Sequence, residues 1–127
     1  NYRETTDWAA AVREFTGGRG ADVVLEVGGA GTLEQSVAAL RYGGRVCLIG
    51  ILSGVTGPFS VASIFRSQLR VSGIYVGSRA MFEEMNRALE ASGIRPHIDR
   101  RFGFDEARQA YEHLAGASHA GKVTLLA

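Results

Sequence analysis

The sequence predicts an α/β domain built on a doubly wound parallel sheet. Short unbroken apolar runs rich in β-branched residues, DVVLEV and RVCLIGIL, are the pattern of strands buried on both faces. The segments between them carry apolar residues at helical spacing. The two kinds of segment alternate strictly, which implies parallel pairing with right-handed crossovers and helices on both faces of the sheet. The chain has 127 residues, 46% of them hydrophobic and 21% charged, enough for one core, and composition marks no linker that would split it.

Taken in order, DWAAAVREFTGGRG puts Trp8, Val12 and Phe15 on one helical face and stops at Gly17 and Gly18. DVVLEV is the first strand. TLEQSVAALRYGG is a helix with a capping box, Thr32 with Gln35, an inward face of Leu33, Val37 and Leu40, and Gly43 as the left-handed residue after its last turn. RVCLIGIL is the second strand, and SGVTGPF the loop after it. SVASIFRSQLR is a short helix capped by Ser60, and VSGIYVGS a third strand interrupted and ended by glycine. RAMFEEMNRALEASG is a longer helix with Phe82, Met85 and Leu89 inward and a Glu83/Arg87 pair outward. The remainder changes character. It holds an extended segment from His97, a helix capped by Asp105 with Ala107, Ala110, Tyr111 and Leu114 inward, and a last strand from Lys122 to Leu126.

Composition removes several function classes. A net charge of +1 gives no global attraction to nucleic acid or an anionic membrane, and the Arg100/Arg101 pair fits a solvated strand face. Cys47 is the only cysteine, which rules out an internal disulfide and a thiolate metal cluster and fits a small buried thiol. No apolar run has the length of a membrane span, and the N-terminus lacks signal-peptide features, so the expectation is a soluble protein of a reducing, cytoplasmic compartment. The first residue is Asn1 rather than Met, from which the expectation is that further chain precedes it. His97, His113 and His119 show no ligand spacing on one face and no carboxylate beside them, so they are expected to be solvated or at helix ends.

Glycine-rich EVGGAGT lies between a strand and a helix, where a dinucleotide-binding turn of the form GxGxxG would sit. Gly29 and Gly31 supply the first two glycines, but the third position is Glu34. A carboxylate there would stand in the first turn of the helix, where the phosphate belongs. The glycines nevertheless lie at the carboxyl end of a parallel strand, and so do those of LIGIL and YVGS. In an open α/β sheet ligands bind beyond those ends, and three glycine-bearing ends in succession point to a binding crevice.

GGRGADVVLEVGGAGTLEQSVAALRYGGRVCLIGIL, then LRVSGIYVGSR, then the AGKVTLL tail together resemble the C-terminal part of the medium-chain dehydrogenase/reductase superfamily, the zinc-type alcohol dehydrogenases and quinone oxidoreductases. The resemblance covers essentially the whole chain. It implies the second half of a Rossmann-type nucleotide-binding domain in residues 1–94, followed by a segment, residues 95–127, that returns to a catalytic domain outside this chain. The glycine fingerprint and any zinc ligands would lie in that outside part. The strand-end contacts of the family fall here on Val27, Gly28 and Gly29, on Ile49, Gly50 and Ile51, and on Val76 and Gly77, lining the nicotinamide and its ribose. Lys122 corresponds to a basic residue that can reach the cofactor phosphates. The cofactor implied is NAD or NADP, the substrate a small molecule. The strand Val71–Val76 is implied to pair with its mate in a homodimer.

Three functions fit the residues. One is the cofactor-domain half of an oxidoreductase that moves hydride to or from a carbonyl, alcohol or activated alkene, inactive and a weak or null cofactor binder by itself. Another is the rear half of an S-adenosylmethionine-dependent methyltransferase, which would end in an antiparallel hairpin. The last is a non-catalytic binding module of the same fold. No tyrosine stands four residues before a lysine and no GxSxG elbow occurs, so no catalytic residue is assigned within the chain.

Overall fold

A computed structural model describes residues 2 and 4–127, which fall into two compact units, Asn1–Val76 and Gly77–Ala127. In the first, α1 (Trp8–Phe15), β1 (Ala21–Glu26), α2 (Leu33–Ala39), β2 (Leu40–Leu48), α3 (Val61–Arg66) and β3 (Arg70–Gly73) follow one another in the expected alternation. The strands form one parallel sheet in the order β1-β2-β3, with Glu26 beside Leu48 and Leu48 beside Gly73 at the carboxyl ends. The second unit holds α4 (Arg79–Ser92), β4 (Ile98–Gly103), a 3-10 turn (Phe104–Glu106), α5 (Ala107–Ala115) and β5 (Lys122–Leu126), and β4 and β5 also pair in parallel.

The core of the first unit lies between α2 and one face of the sheet, where Val37, Leu40, Val46 and Leu69 are buried and Val24, Leu33, Leu48, Phe59 and Ile64 pack around them. The other face differs from expectation. Val23 and Leu25 are more than half exposed, because β1 is an edge strand and α2 touches both α1 and α3, so the helices of this unit form one layer. Phe15 is likewise exposed, while Ala9 is buried against α2.

Several local expectations are corrected. The Thr32/Gln35 capping box does not form: the Thr32 hydroxyl donates to Glu26, and the Gln35 amide bridges to α1, accepting from Ala9 N–H at 3.2 Å and donating to the Thr6 carbonyl at 2.8 Å. Helix α2 stops at Ala39, short of Gly43, because Leu40 turns extended to enter the core. Its end is satisfied from outside: Arg13 of α1 donates to the carbonyls of Ala38 and Leu40, both at 2.8 Å. Gly43 is left-handed as expected, but inside β2, where the ladder jumps from Ala21–Leu40 to Val23–Arg45. Ser60 occupies the N-cap of α3 without a side-chain bond, and β3 ends at Gly73.

In the second unit Met81, Phe82 and Met85 of α4 are exposed, Leu89 is half-buried, and Glu83 pairs with Arg79 at 2.8 Å in place of Arg87. Helix α5 begins one residue later than expected. Glu106 is its N-cap and accepts from Gly103 N–H at 2.8 Å, and of the expected inward residues Ala110 is buried while Tyr111 and Leu114 are exposed.

Asp22 ties the start of β1 to the irregular start of β2. Its carboxylate accepts from Arg19 at 2.5 and 3.0 Å and from Arg41 at 2.6 Å, and the Arg19 bond, followed by that of Arg41, lowers its pKa from 3.8 to about 2. A depressed carboxyl pKa stabilises the fold above its ordinary value and loses that contribution as pH falls through the folded value. The stabilising effect of Asp22 is therefore expected intact above 3.8 and gone below about 2. An NMR titration of its carboxyl carbon checks this, and a midpoint at the ordinary value would show that neither arginine holds it.

Candidate functional site

Because the strands are parallel, the turns that leave β1 and β2 lie side by side, and backbone hydrogen bonds lock them together. The N–H groups of Ile49 and Gly50 donate to the Glu26 carbonyl at 2.8 and 3.1 Å, Ser53 N–H donates to the Gly28 carbonyl at 2.6 Å, and Ala30 N–H donates to that of Gly54 at 3.0 Å. The Ser53 hydroxyl adds a bond to the Gly28 carbonyl at 2.8 Å and accepts from Gly31 N–H at 2.9 Å. Val27, Gly28, Gly29, Ile49, Gly50 and Ile51 are thus brought together, as their places at adjacent strand ends imply.

The glycines serve a purpose the sequence does not disclose. A Cβ on Gly50 would collide with the Val27 carbonyl, and one on Gly29, whose φ is +94°, would stand 2.6 Å from the Gly54 carbonyl oxygen and 2.8 Å from Ile51 Cα. The space that glycine leaves is filled by the neighbouring turn. Apolar surface for a ligand comes instead from Val27, Ile49 and Ile51, which are 51%, 46% and 63% exposed.

Glu26, which the sequence reading does not single out, organises the whole turn. It follows the apolar run Val23–Leu25 at the end of β1 and is only 2% exposed. Its Oε1 accepts from Gly28 N–H at 2.7 Å, Gly29 N–H at 2.9 Å and the Thr32 hydroxyl at 2.6 Å, and its Oε2 accepts from the Ser36 hydroxyl. Burial raises its pKa, but the Ser36, Thr32, Gly29 and Gly28 bonds outweigh that and the net direction is downward. The signal in the sequence is a carboxylate closing an apolar run two residues before Gly-Gly, with a threonine at the start of the following helix and a serine four residues on. The fingerprint fails here for a stronger reason than Glu34. The amides that would greet a phosphate already hold a carboxylate.

Two hollows flank the turns. A groove of about 550 Å³ runs along the open edge of β1 between Trp8, Leu25, Val27, Gly28 and Leu52. A smaller one of about 300 Å³ lies between Gly29, Gly50, Ile51 and the loop Gly54–Phe59.

Of the remaining expected residues, Val76 closes the first unit with φ +49° and is exposed, and Gly77 opens the second. Lys122 is the exposed first residue of β5, where its N–H donates to the His97 carbonyl at 2.9 Å. The histidine expectation needs correction. Asp99 of β4 lies 2.7 Å from His113 Nε2 of α5 and also accepts from Ala120 N–H at 3.1 Å, while the His113 and His119 rings are 6.0 Å apart. The fold supplies a carboxylate that linear spacing conceals, and the His113 bond first, then that of Ala120, lowers the Asp99 pKa. Among the described residues no three His, Cys, Asp or Glu side chains could together hold a metal ion, and no helix is long and apolar enough to cross a membrane.

Residues 1–125 match the family described as zinc-binding dehydrogenase. A zinc-type alcohol dehydrogenase-like protein of Schizosaccharomyces pombe is 38% identical, with 98% of this chain and 37% of that protein aligned. The structure of an NAD-dependent alcohol dehydrogenase superposes with a TM-score of 0.82 at 30% identity, over 95% of this chain and 35% of the other. A crotonyl-CoA carboxylase/reductase solved with NADP gives 0.81 at 26% identity, over 94% and 30%. The chain therefore spans about a third of the length of these three proteins.

Proposed function

This chain belongs to the zinc-binding dehydrogenase family, and from that premise we propose that it forms the nicotinamide side of the cofactor domain of an NAD(P)-dependent oxidoreductase. The observation that carries the reading is the pair of interlocked turns at the carboxyl ends of β1 and β2, with Val27, Ile49 and Ile51 presenting apolar side chains beside a glycine-lined backbone. Such a surface suits one face of a flat, uncharged ring, and its rigidity orients that ring toward substrate. A dinucleotide held here would give or take the hydride, and this chain's residues would position its ring and exclude water from one side of it. Gly28, Gly29 and Gly50 keep the two turns close enough to make a single surface, and Val76, Gly77 and Lys122 are assigned to the same cofactor. The acceptor or donor is a carbonyl, alcohol or activated alkene.

Either NAD or NADP fits, because no residue assigned here reads the adenosine ribose. Among the described residues no donor set fits a zinc ion. Residues 1–94 are assigned to the cofactor domain and residues 95–127 to the segment that packs on the catalytic domain. A single buried thiol, Cys47, agrees with a cytoplasmic setting. The methyltransferase reading loses its support, since α4 follows Gly77 and β4 and β5 pair in parallel where an antiparallel hairpin was required.

NADPH titrated into the 127-residue chain is expected to give no tight binding. Reduced nicotinamide mononucleotide at millimolar concentration, enough to reveal a Kd of about 1 mM or about 4 kcal/mol of binding, should shift the amides of Val27, Ile49 and Ile51 in an NMR spectrum. Tight NADPH binding would show that the phosphate site lies within the chain, and unmoved amides would remove the assignment of these turns.

β3 (Arg70–Gly73) is the other edge of the sheet, and Val71 within it and Ile74, Tyr75 and Val76 just beyond it are all substantially exposed, with no proline or acidic residue to block pairing. The protein is assigned a two-fold dimer through Val71–Val76. Sedimentation at high concentration is expected to give twice the monomer mass, and Val71→Pro to halve it; a monomer throughout would exclude this edge.

A further inference from the structure

We propose that Glu26 is a positioning residue: a built-in anion that holds the Gly28 and Gly29 amides, fixes the path of the chain through Val27–Gly29, and bars an external phosphate from that turn. Successive backbone N–H groups that converge on one point ordinarily capture a phosphate or carboxylate from solution. Here they converge on Glu26 Oε1 at 2.7 and 2.9 Å, and the Thr32 hydroxyl completes the set at 2.6 Å. The second oxygen is held by Ser36. Each of these bonds has a charged acceptor and is correspondingly strong.

The two amides are already taken by a carboxylate. A Cβ on Gly28 would run into the Thr32 hydroxyl and come within 3.1 Å of Glu26 Oε1, so these two side chains stand closely over Gly28. An entering phosphate would have to displace the carboxylate and would meet its charge. The turn therefore offers a ligand only neutral groups: the Val27 side chain and the backbone beyond it. That this selects the uncharged end of a dinucleotide rests on the function proposed above. The occupation of the amides by Glu26 does not.

Glu26→Ala tests it, with formate and inorganic phosphate as probes and the Gly28 and Gly29 amides as reporters. In the unsubstituted chain neither probe is expected to move those amides. In the variant, formate should shift both saturably and slow their exchange about tenfold, the protection expected of a restored charge-assisted bond. The proposal is overturned if the folded variant ignores formate, or if phosphate moves the amides of the unsubstituted chain equally. Should Glu26→Ala fail to fold, Glu26→Gln keeps the shape without the charge: both glycine amides should then exchange about tenfold faster, and unchanged exchange would overturn the claim. Reduced nicotinamide mononucleotide added to the same samples separates the two readings. Formate rescue without any nicotinamide contact supports the role of Glu26 and removes the cofactor assignment alone.

Discussion

Gly50→Ala is expected to destabilise the first unit by about 3 kcal/mol, at the upper end of what overpacking costs. Neither backbone strain nor lost flexibility is the cause, since Gly50 does not adopt a positive φ. The added methyl collides with the Val27 carbonyl and stands 2.9 Å from both the carbon of that carbonyl and Val27 Cα. Backbone on backbone has no rotamer to escape into. The turns after β1 and β2 must part, and the bonds from Ile49 and Gly50 N–H to the Glu26 carbonyl, at 2.8 and 3.1 Å, are the first to lengthen. Gly73 supplies the control. It ends the neighbouring strand, yet a Cβ there meets nothing within 4 Å, so Gly73→Ala should change stability by less than about 0.5 kcal/mol. Urea unfolding of the two variants checks the contrast, and equal midpoints would mean that the two turns do not touch as described.

The difference between those two glycines marks what can be read in a sequence and what cannot. The order of helices and strands and the parallel pairing follow from local pattern, because alternation and period are properties of adjacent residues, while the grouping of Val27–Gly29 with Ile49–Ile51 follows from the family resemblance. Which glycine is pressed against another backbone is a property of pairs distant in the chain, and EVGG, LIG and VSG look alike until the sheet brings two of them into contact. Glu26 was hidden for the same reason. A carboxylate closing an apolar strand reads as solvated until Thr32 and Ser36 are folded over it. The Asp99–His113 contact joins β4 to α5 across a turn and has no spacing signature. Apolar stripes on α4 and β1 were expected to be covered, since period reports which residues share a face and not whether anything covers it.

Leu40→Ala is expected to cost about 4 kcal/mol, within the range for deleting a fully buried leucine. Leu40 is 1% exposed, and it sits where α2 gives way to β2, so its side chain fills the angle between helix and strand. The cluster it joins is small, with Val37, Val46 and Leu69 as its other buried members. Few neighbours are available to relax into the cavity, which keeps the cost high. Against a typical total of about 5–15 kcal/mol, such a loss brings the unit close to unfolding at ordinary temperature. A volume-conserving Leu40→Met should cost less than about 1.5 kcal/mol. Leu40 begins β2 and the interlocked turns lie beyond its end, so whatever Leu40→Ala molecules remain folded should keep the Gly28 and Gly29 amide shifts of the unsubstituted chain. Gly50→Ala should move those same amides even where the unit stays folded. Amide spectra of both variants, recorded below their unfolding midpoints, decide the matter. If Leu40→Ala moved the glycine amides as far as Gly50→Ala does, the turns would be held by the core as a whole and not by their own contacts.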